Sequence, residues 1–148
     1  MLTPYTSSNA GQVASFTYVT TDTSITAGDV LYWTAANDLA ECDGSTETCI
    51  SVEAVAKSAP VLQADGSSYT VDAYPINSDT FWLADCNTTM VAATMVGTTH
   101  NLADAGIVDN HATPDTSTAG IIRILRMVKE GSDKLAIVRI ERTGIVTS

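Results

Sequence analysis

Positive charge is scarce in this chain of 148 residues: seven lysines and arginines stand against seventeen aspartates and glutamates, for a net charge of −10. Nucleic acids and anionic membranes are held through a basic footprint, so neither is expected as a partner. Long apolar runs are also missing. The most apolar stretch, IIRILRMV, is broken by Arg123 and Arg126 and falls far short of the roughly 20 residues a membrane helix requires; a soluble protein is expected. The opening MLTPYTSSNAGQV has no basic start, no apolar core and no small-residue cleavage pattern, which predicts no exported precursor. Cysteine is represented only by Cys42, Cys49 and Cys86, with no C-x-x-C spacing. Three small, buried or half-buried thiols are the expectation, although the short DGSTET segment between Cys42 and Cys49 would let those two bridge. Catalytic signatures are absent as well: the chain contains no G-x-S-x-G, H-E-x-x-H, phosphate loop or dinucleotide glycine pattern, so no enzyme and no cofactor are expected.

Leucine is sparse, with eight copies, whereas threonine, valine and isoleucine number 22, 13 and 10. β-branched side chains fit a pleated surface better than a helix. Turn signals recur between runs of strand length, at TAGD, CDGS, ADGSS, NSD, DCNTT, DAG, STAG and EGSD. VASFTYVT alternates with Phe16 and Tyr18 on one face, and CISVEAVA with Ile50, Val52 and Ala54 on one face. DVLYWT, YTVDAYPI and DTFWLAD read as further strands. IIRILRMVK and KLAIVRIER, joined by EGSD, read as a closing hairpin. TTMVAATMVG is the one candidate helix, with Thr88 or Thr89 as cap and Gly97 as stop. The pattern predicts an all-β protein, a compact β-barrel or β-sandwich with at most one short helix. An extended, polar N-terminal arm is expected over residues 1–13, followed by a single β-rich domain over residues 14–148.

Raw material for chemistry is concentrated in HNLADAGIVDNHATPD, which holds both histidines, His100 and His111. A zinc site needs three or four ligands on rigid elements, and this segment reads instead as a polar loop whose Asp and Asn serve turns. Asp38, Glu41, Asp43 and Glu47 miss the calcium-loop spacing and read as a solvated acidic loop, so no metal is expected. In a strictly alternating strand Arg123 and Lys129 oppose Arg126, which predicts basic charge split between two faces. Tyr32, Trp33 and Trp82 could form a sugar- or surface-binding platform, with core packing the expected role for the tryptophans. A hydrolytic site gathering a histidine, an aspartate and a serine is the remaining alternative.

VGTTHNLADAGIVDNHATPDTSTAGIIRILRMVKEGSDKLAIVRIE resembles the C-terminal part of the small head-decoration or capsid-cement proteins of tailed bacteriophages. It leads from a Val-Gly into a polar strand ending in NLAD, passes an Asn-containing loop, and finishes in an Ile-Arg-Ile strand and a closing hairpin. ITAGDVLYW is similar to the start of a strand in such barrels, while AECDGSTETC departs from the pattern. The resemblance implies a virion structural protein on the outer capsid surface, acting as a homo-oligomer with the major capsid protein as partner. Leu2, Pro4 and Tyr5 of the arm, with Arg123 and Arg126 of the hairpin, are the expected capsid contacts.

Overall fold

The computed structural model describes residues 1–5, 14–42, 52–76, 80–88, 95–110, 121–128 and 134–141, apart from the Met127 side chain. Within them lie twelve strands: β1 (Leu2–Tyr5), β2 (Phe16–Thr20), β3 (Val30–Trp33), β4 (Leu39–Glu41), β5 (Val52–Ala56), β6 (Val61–Leu62), β7 (Tyr69–Pro75), β8 (Phe81–Cys86), β9 (Thr99–Asp104), β10 (Ile107–Asp109), β11 (Ile122–Met127) and β12 (Leu135–Ile140). The protein is all-β, as its β-branched composition demands. No helix among the described residues is long and apolar enough to cross a membrane. Of the candidate helix, residues 89–94 lie outside the description; Gly97, its expected stop, has a φ of +84°, the left-handed conformation glycine adopts without steric cost.

The strands form two sheets, each of which closes on itself. In the first, β2, β4, β3, β5 and β7 follow in order and β7 pairs back onto β2, with β6 added beside β7. In the second, β8, β10, β9, β11 and β12 follow in order and β12 pairs back onto β8, with β1 added beside β8. We call these ring one and ring two. Closure pairs strands that would be edges in an open sheet and leaves the added β1 and β6 as edge strands.

Each ring has an apolar inside. Ring one encloses Ile25, Leu31, Leu39, Ala54, Ala56, Val71 and Ala73, with Tyr18 packed against them. A larger cluster gathers the interior of ring two, including Trp82, Leu102, Ile122, Ile124 and Val138, with Val30, Val52 and Val55 from ring one. β5 therefore loses its expected alternation. Ala54 and Ala56 face one cluster while Val52 and Val55 face the other, so the strand is buried on both sides.

β1 joins the rings. Leu2 is 2% exposed and its N–H donates to Gly28 O at 3.0 Å, while Gly28 N–H donates to Ala56 O at 2.8 Å. A Cβ on Gly28, whose φ is +90°, would lie 2.7 Å from Leu2 N. Only glycine fits that approach. The arm expected over 1–13 is corrected at its first five residues: they form a strand of the body because Leu2 completes the apolar interior. Residues 6–13 lie outside the description.

Candidate contact surface

Cross-strand register decides which side chains share a face, because paired residues point the same way and neighbours along a strand alternate. Leu2, Ala84 and Ala136 form one row across β1, β8 and β12, and Pro4, Trp82, Val138 and Ile124 form another that extends to β11. Both rows face the interior. The row between them, Thr3, Leu83, Ile137 and Arg126, faces outward. Tyr5 pairs with Phe81 and Arg123 with Arg139, and by alternation these four share that outward face.

Strict alternation would have placed Arg126 on the opposite side from Arg123. A β-bulge between Ile124 and Arg126 shifts the register, inserting Leu125 and turning Arg126 back to the face of Arg123. Bulges re-aim side chains in this way. The expected split of the basic charge is thereby overturned for the two residues expected to touch a partner. Tyr5, Arg123 and Arg126 converge on one face, whereas Leu2 and Pro4 point to the other side of their strand.

The arginines of this face are held in place. Glu141 accepts from Arg123 Nε at 2.5 Å and Nη2 at 3.2 Å, and from Arg139 Nη2 at 2.7 Å, so one carboxylate offsets the repulsion of two guanidiniums set directly opposite each other. Arg123 Nη1 also donates to Gly97 O at 2.8 Å. The Arg123 guanidinium holds the Glu141 carboxyl below its usual range. Arg126 is exposed and makes no ion pair with another described residue. Tyr5 is 40% exposed, while Phe81 and Leu83 are half-buried and Ile137 is 7% exposed. The face thus combines fixed guanidiniums, one free guanidinium and apolar bodies, the residue types enriched where proteins meet.

Other expected sites are placed differently. His100 is corrected from loop to strand: it lies on β9 opposite Ile122 and is 0% exposed. Its Nε2 is 2.7 Å from Thr98 Oγ1, whose own hydrogen goes to Met95 O at 2.7 Å; Nε2 therefore carries the proton and donates. Asn110, also 0% exposed, accepts from Thr88 N and Oγ1 and donates to Thr88 O, each at 2.9 Å. It clamps a distant segment instead of serving a local turn. His111 lies outside the description.

Asp38 and Glu41 stand at the seam of ring one, and Asp43 and Glu47 lie outside the description. Among the described residues no group of three or more His, Cys, Asp or Glu side chains is arranged to hold a metal. Trp82 is 0% exposed and Tyr32 packs against the larger cluster, leaving Trp33 as the exposed member of the aromatic trio at 38%. The three form no common platform. Cys42 and Cys86 are buried, and burial pushes the Cys86 thiol up to about 12; Cys49 lies outside the description. A cleft of about 500 Å³ between the rings is lined by Thr26, Asp29, Asp104 and Gly106 among others. Asp29 Oδ2 is already engaged by Thr26 N at 2.7 Å and Thr26 Oγ1 at 3.1 Å.

No family model, curated protein or solved structure matches this chain.

Two features of this face were beyond reach of the sequence. The bulge at Leu125 leaves no local mark, and the β1–β8 pairing joins residues some eighty positions apart. The signal that could have been used is the spacing of Arg123, Arg139 and Glu141, since two arginines meeting across a hairpin require a carboxylate beside them.

Proposed function

We propose that this chain is a virion structural protein that attaches to the outer capsid surface through the outward face of ring two and braces the shell by binding the major capsid protein. The observation that carries the reading is the convergence of Tyr5, Arg123 and Arg126 with Phe81 and Leu83 on one face of a β body whose charge is otherwise strongly negative. The wording of residues 96–141 supports it through its resemblance to decoration proteins. A net charge of −10 keeps many copies soluble, and a local arginine face steers them in one orientation toward an acidic surface. Charge-assisted, bidentate contacts to carboxylates suit guanidinium geometry. No catalytic step enters this role.

The test is co-sedimentation with intact particles. The wild type pellets at a fixed ratio to the major capsid protein, and Arg126→Glu with Tyr5→Ala lowers occupancy at least about tenfold, the scale of losing a contact worth about 1.4 kcal/mol. Equal occupancy by the variant removes this face from the contact, and no pelleting by the wild type removes the virion role.

A further inference from the structure

We propose that the groove between the rings, along β1, is an anchor site for an extended segment of a partner protein in which one large apolar residue stands next to an aspartate or glutamate. The groove has a volume of about 180 Å³ and is lined by Leu2, Pro4, Ala27, Ala56, Lys57 and Tyr74 among others. A cavity of about 150 Å³ with aliphatic walls holds a benzene molecule, whereas sites for drug-sized ligands begin at about 300 Å³. The groove is therefore of the size to take a single leucine or phenylalanine side chain. Leu2 and Ala56 are each 2% exposed and are tied together through Gly28, which accepts from Leu2 N and donates to Ala56 O. The site is thus built into the joint between the rings, and little ordering is needed when it fills.

Charge decides what accompanies the apolar residue. Lys57 is the one lysine or arginine between residues 1 and 122, a span that holds fourteen aspartates and glutamates. Its N–H donates to Asp72 O at 2.8 Å, which sets it beside Asp72. The Asp72 carboxylate nevertheless accepts from Thr17 Oγ1 at 2.7 Å, and Lys57 makes no ion pair with another described residue. Its ammonium lies 6.0 Å from the centre of the Tyr74 ring, at the limit of cation–π range. An ammonium without a counter-ion beside an apolar groove suits a carboxylate attached to an apolar body. It suits one carboxylate and not a run of them, because further acids would meet Asp72 and the net charge of −10.

The β1 edge fixes the mode of docking. Leu2 N–H points away from β8 to Gly28, so Pro4, two residues on, faces the same way. With no N–H, it offers an incoming strand no donor. A partner segment therefore engages by inserting a side chain and not by adding a strand. Leu2 and Pro4, which turn away from the arginine face, line this groove, and Thr3 of the outward row stands at its edge. Burial of the apolar residue supplies most of the affinity, and the exposed Lys57 adds a smaller part that selects its neighbour. The inference holds for any partner of this chemistry and does not rest on the virion reading.

Amide NMR spectra of the full chain, titrated with acetyl-Gly-Leu-Asp-Gly-amide and acetyl-Gly-Phe-Asp-Gly-amide at millimolar concentrations, test this without any particle present. At least one of the two peptides gives saturable shifts centred on the Leu2, Gly28 and Lys57 amides. Replacing its apolar residue by glycine weakens binding at least about tenfold, and replacing its aspartate by asparagine weakens it about two- to fivefold. Lys57→Gln lowers the affinity of the aspartate peptide to that of the asparagine peptide and leaves the asparagine peptide unaffected; Arg126→Glu changes neither. Each variant's fold is read from the dispersion of the same spectra. The proposal is overturned if neither peptide gives saturable shifts, if the shifts centre away from the groove, if aspartate and asparagine peptides bind alike, or if Lys57→Gln weakens both equally.

Discussion

The weakest joints of ring two, β8 with β10 and β9 with β11, each hold two residue pairs, whereas ring one is joined between β2 and β4 through a single pair, Thr20 with Leu39. Side chains complete the seam of ring one. Thr20 Oγ1 donates to Leu39 O at 2.6 Å, Thr21 Oγ1 to Asp38 Oδ2 at 2.7 Å, and Glu41 N–H to Asp22 Oδ2 at 3.0 Å. Thr34 Oγ1 supplies Asp38 Oδ1. Interiors differ in the same sense, with Trp82 and three isoleucines of the 121–124 run in the larger cluster and three alanines in the smaller. Charge differs too. Among the described residues, 14–76 hold seven carboxylates and one lysine, while 80–141 hold four of each sign. One ring is held by backbone ladder and bulk, and the other depends on hydroxyl–carboxylate bonds that pH can reach.

The largest expected effect lies in ring two. Trp82→Ala should destabilise the fold by about 3–5 kcal/mol, the usual loss for a large buried aromatic, read from the denaturant midpoint. A loss near that of a surface change would show that ring two is not the mechanical centre of the body. His100→Ala follows at about 2–4 kcal/mol, since it leaves a cavity and deprives Thr98 of a donor. Thermal melts in chelator and without it should coincide. A chelator-dependent melt would bring metal back into consideration.

The seam gives the next effect, at acid pH. The hydroxyls of Thr34, first, and Thr21 hold the Asp38 carboxyl below its ordinary value. A depressed carboxylate contributes stability that is complete above the unfolded-state value and is lost as pH falls through the folded one. Glu41 works against this: burial, with Asp22, Asp29 and Asp104 nearby, raises its value, so the folded state favours its proton and regains stability as it binds. Asp22 sits between them. Burial pushes its value up, but the bonds from Glu41 and Ser24 outweigh that and leave it lowered. Two lowered groups against one raised predict a net weakening of this seam below about pH 4, to which the lowered Glu141 carboxyl adds a loss in ring two. Hydrogen exchange should show β4 amides losing protection on acidification before β12 amides do, and Asp38→Asn should weaken β4 by about 1–3 kcal/mol at neutral pH. Simultaneous loss in both rings would show that they open as one unit and that the seam is not a separate weak point.

The all-β class was legible because it rests on composition and on local alternation, as in FTYVT and in the closing hairpin. Trp82 in the core was legible for the same reason. Ring closure was not, since β7 returning to β2 and β12 to β8 are pairings of distant segments with no local sign. His100 was misread because one polar residue among Asp and Asn gives no hint of burial; its place opposite Ile122 follows from register alone. Leu2 looked like part of a free arm because four residues carry no readable period, and their partner strand lies far along the chain. Of the expected contacts, Tyr5, Arg123 and Arg126 were chosen for their chemistry, and it took a bulge to put them together.

The smallest effect on stability is expected from the residue with the most to say about function. Arg126 is exposed, follows the bulge and has no ionic partner among the described residues, so Arg126→Ala should change the unfolding free energy by less than about 0.5 kcal/mol, as surface substitutions do. Arg123→Ala differs although it lies on the same face. It leaves Glu141, whose side chain is 20% exposed, with Arg139 alone, and should cost about 1–2 kcal/mol. The two arginines therefore separate support of the face from use of it. If ring two binds an acidic surface, Arg126→Ala lowers particle occupancy with its melting temperature intact and weakens the salt dependence of attachment. Occupancy lost only in Arg123→Ala, in step with stability, would mean that the arginines serve the sheet and that the partner docks elsewhere.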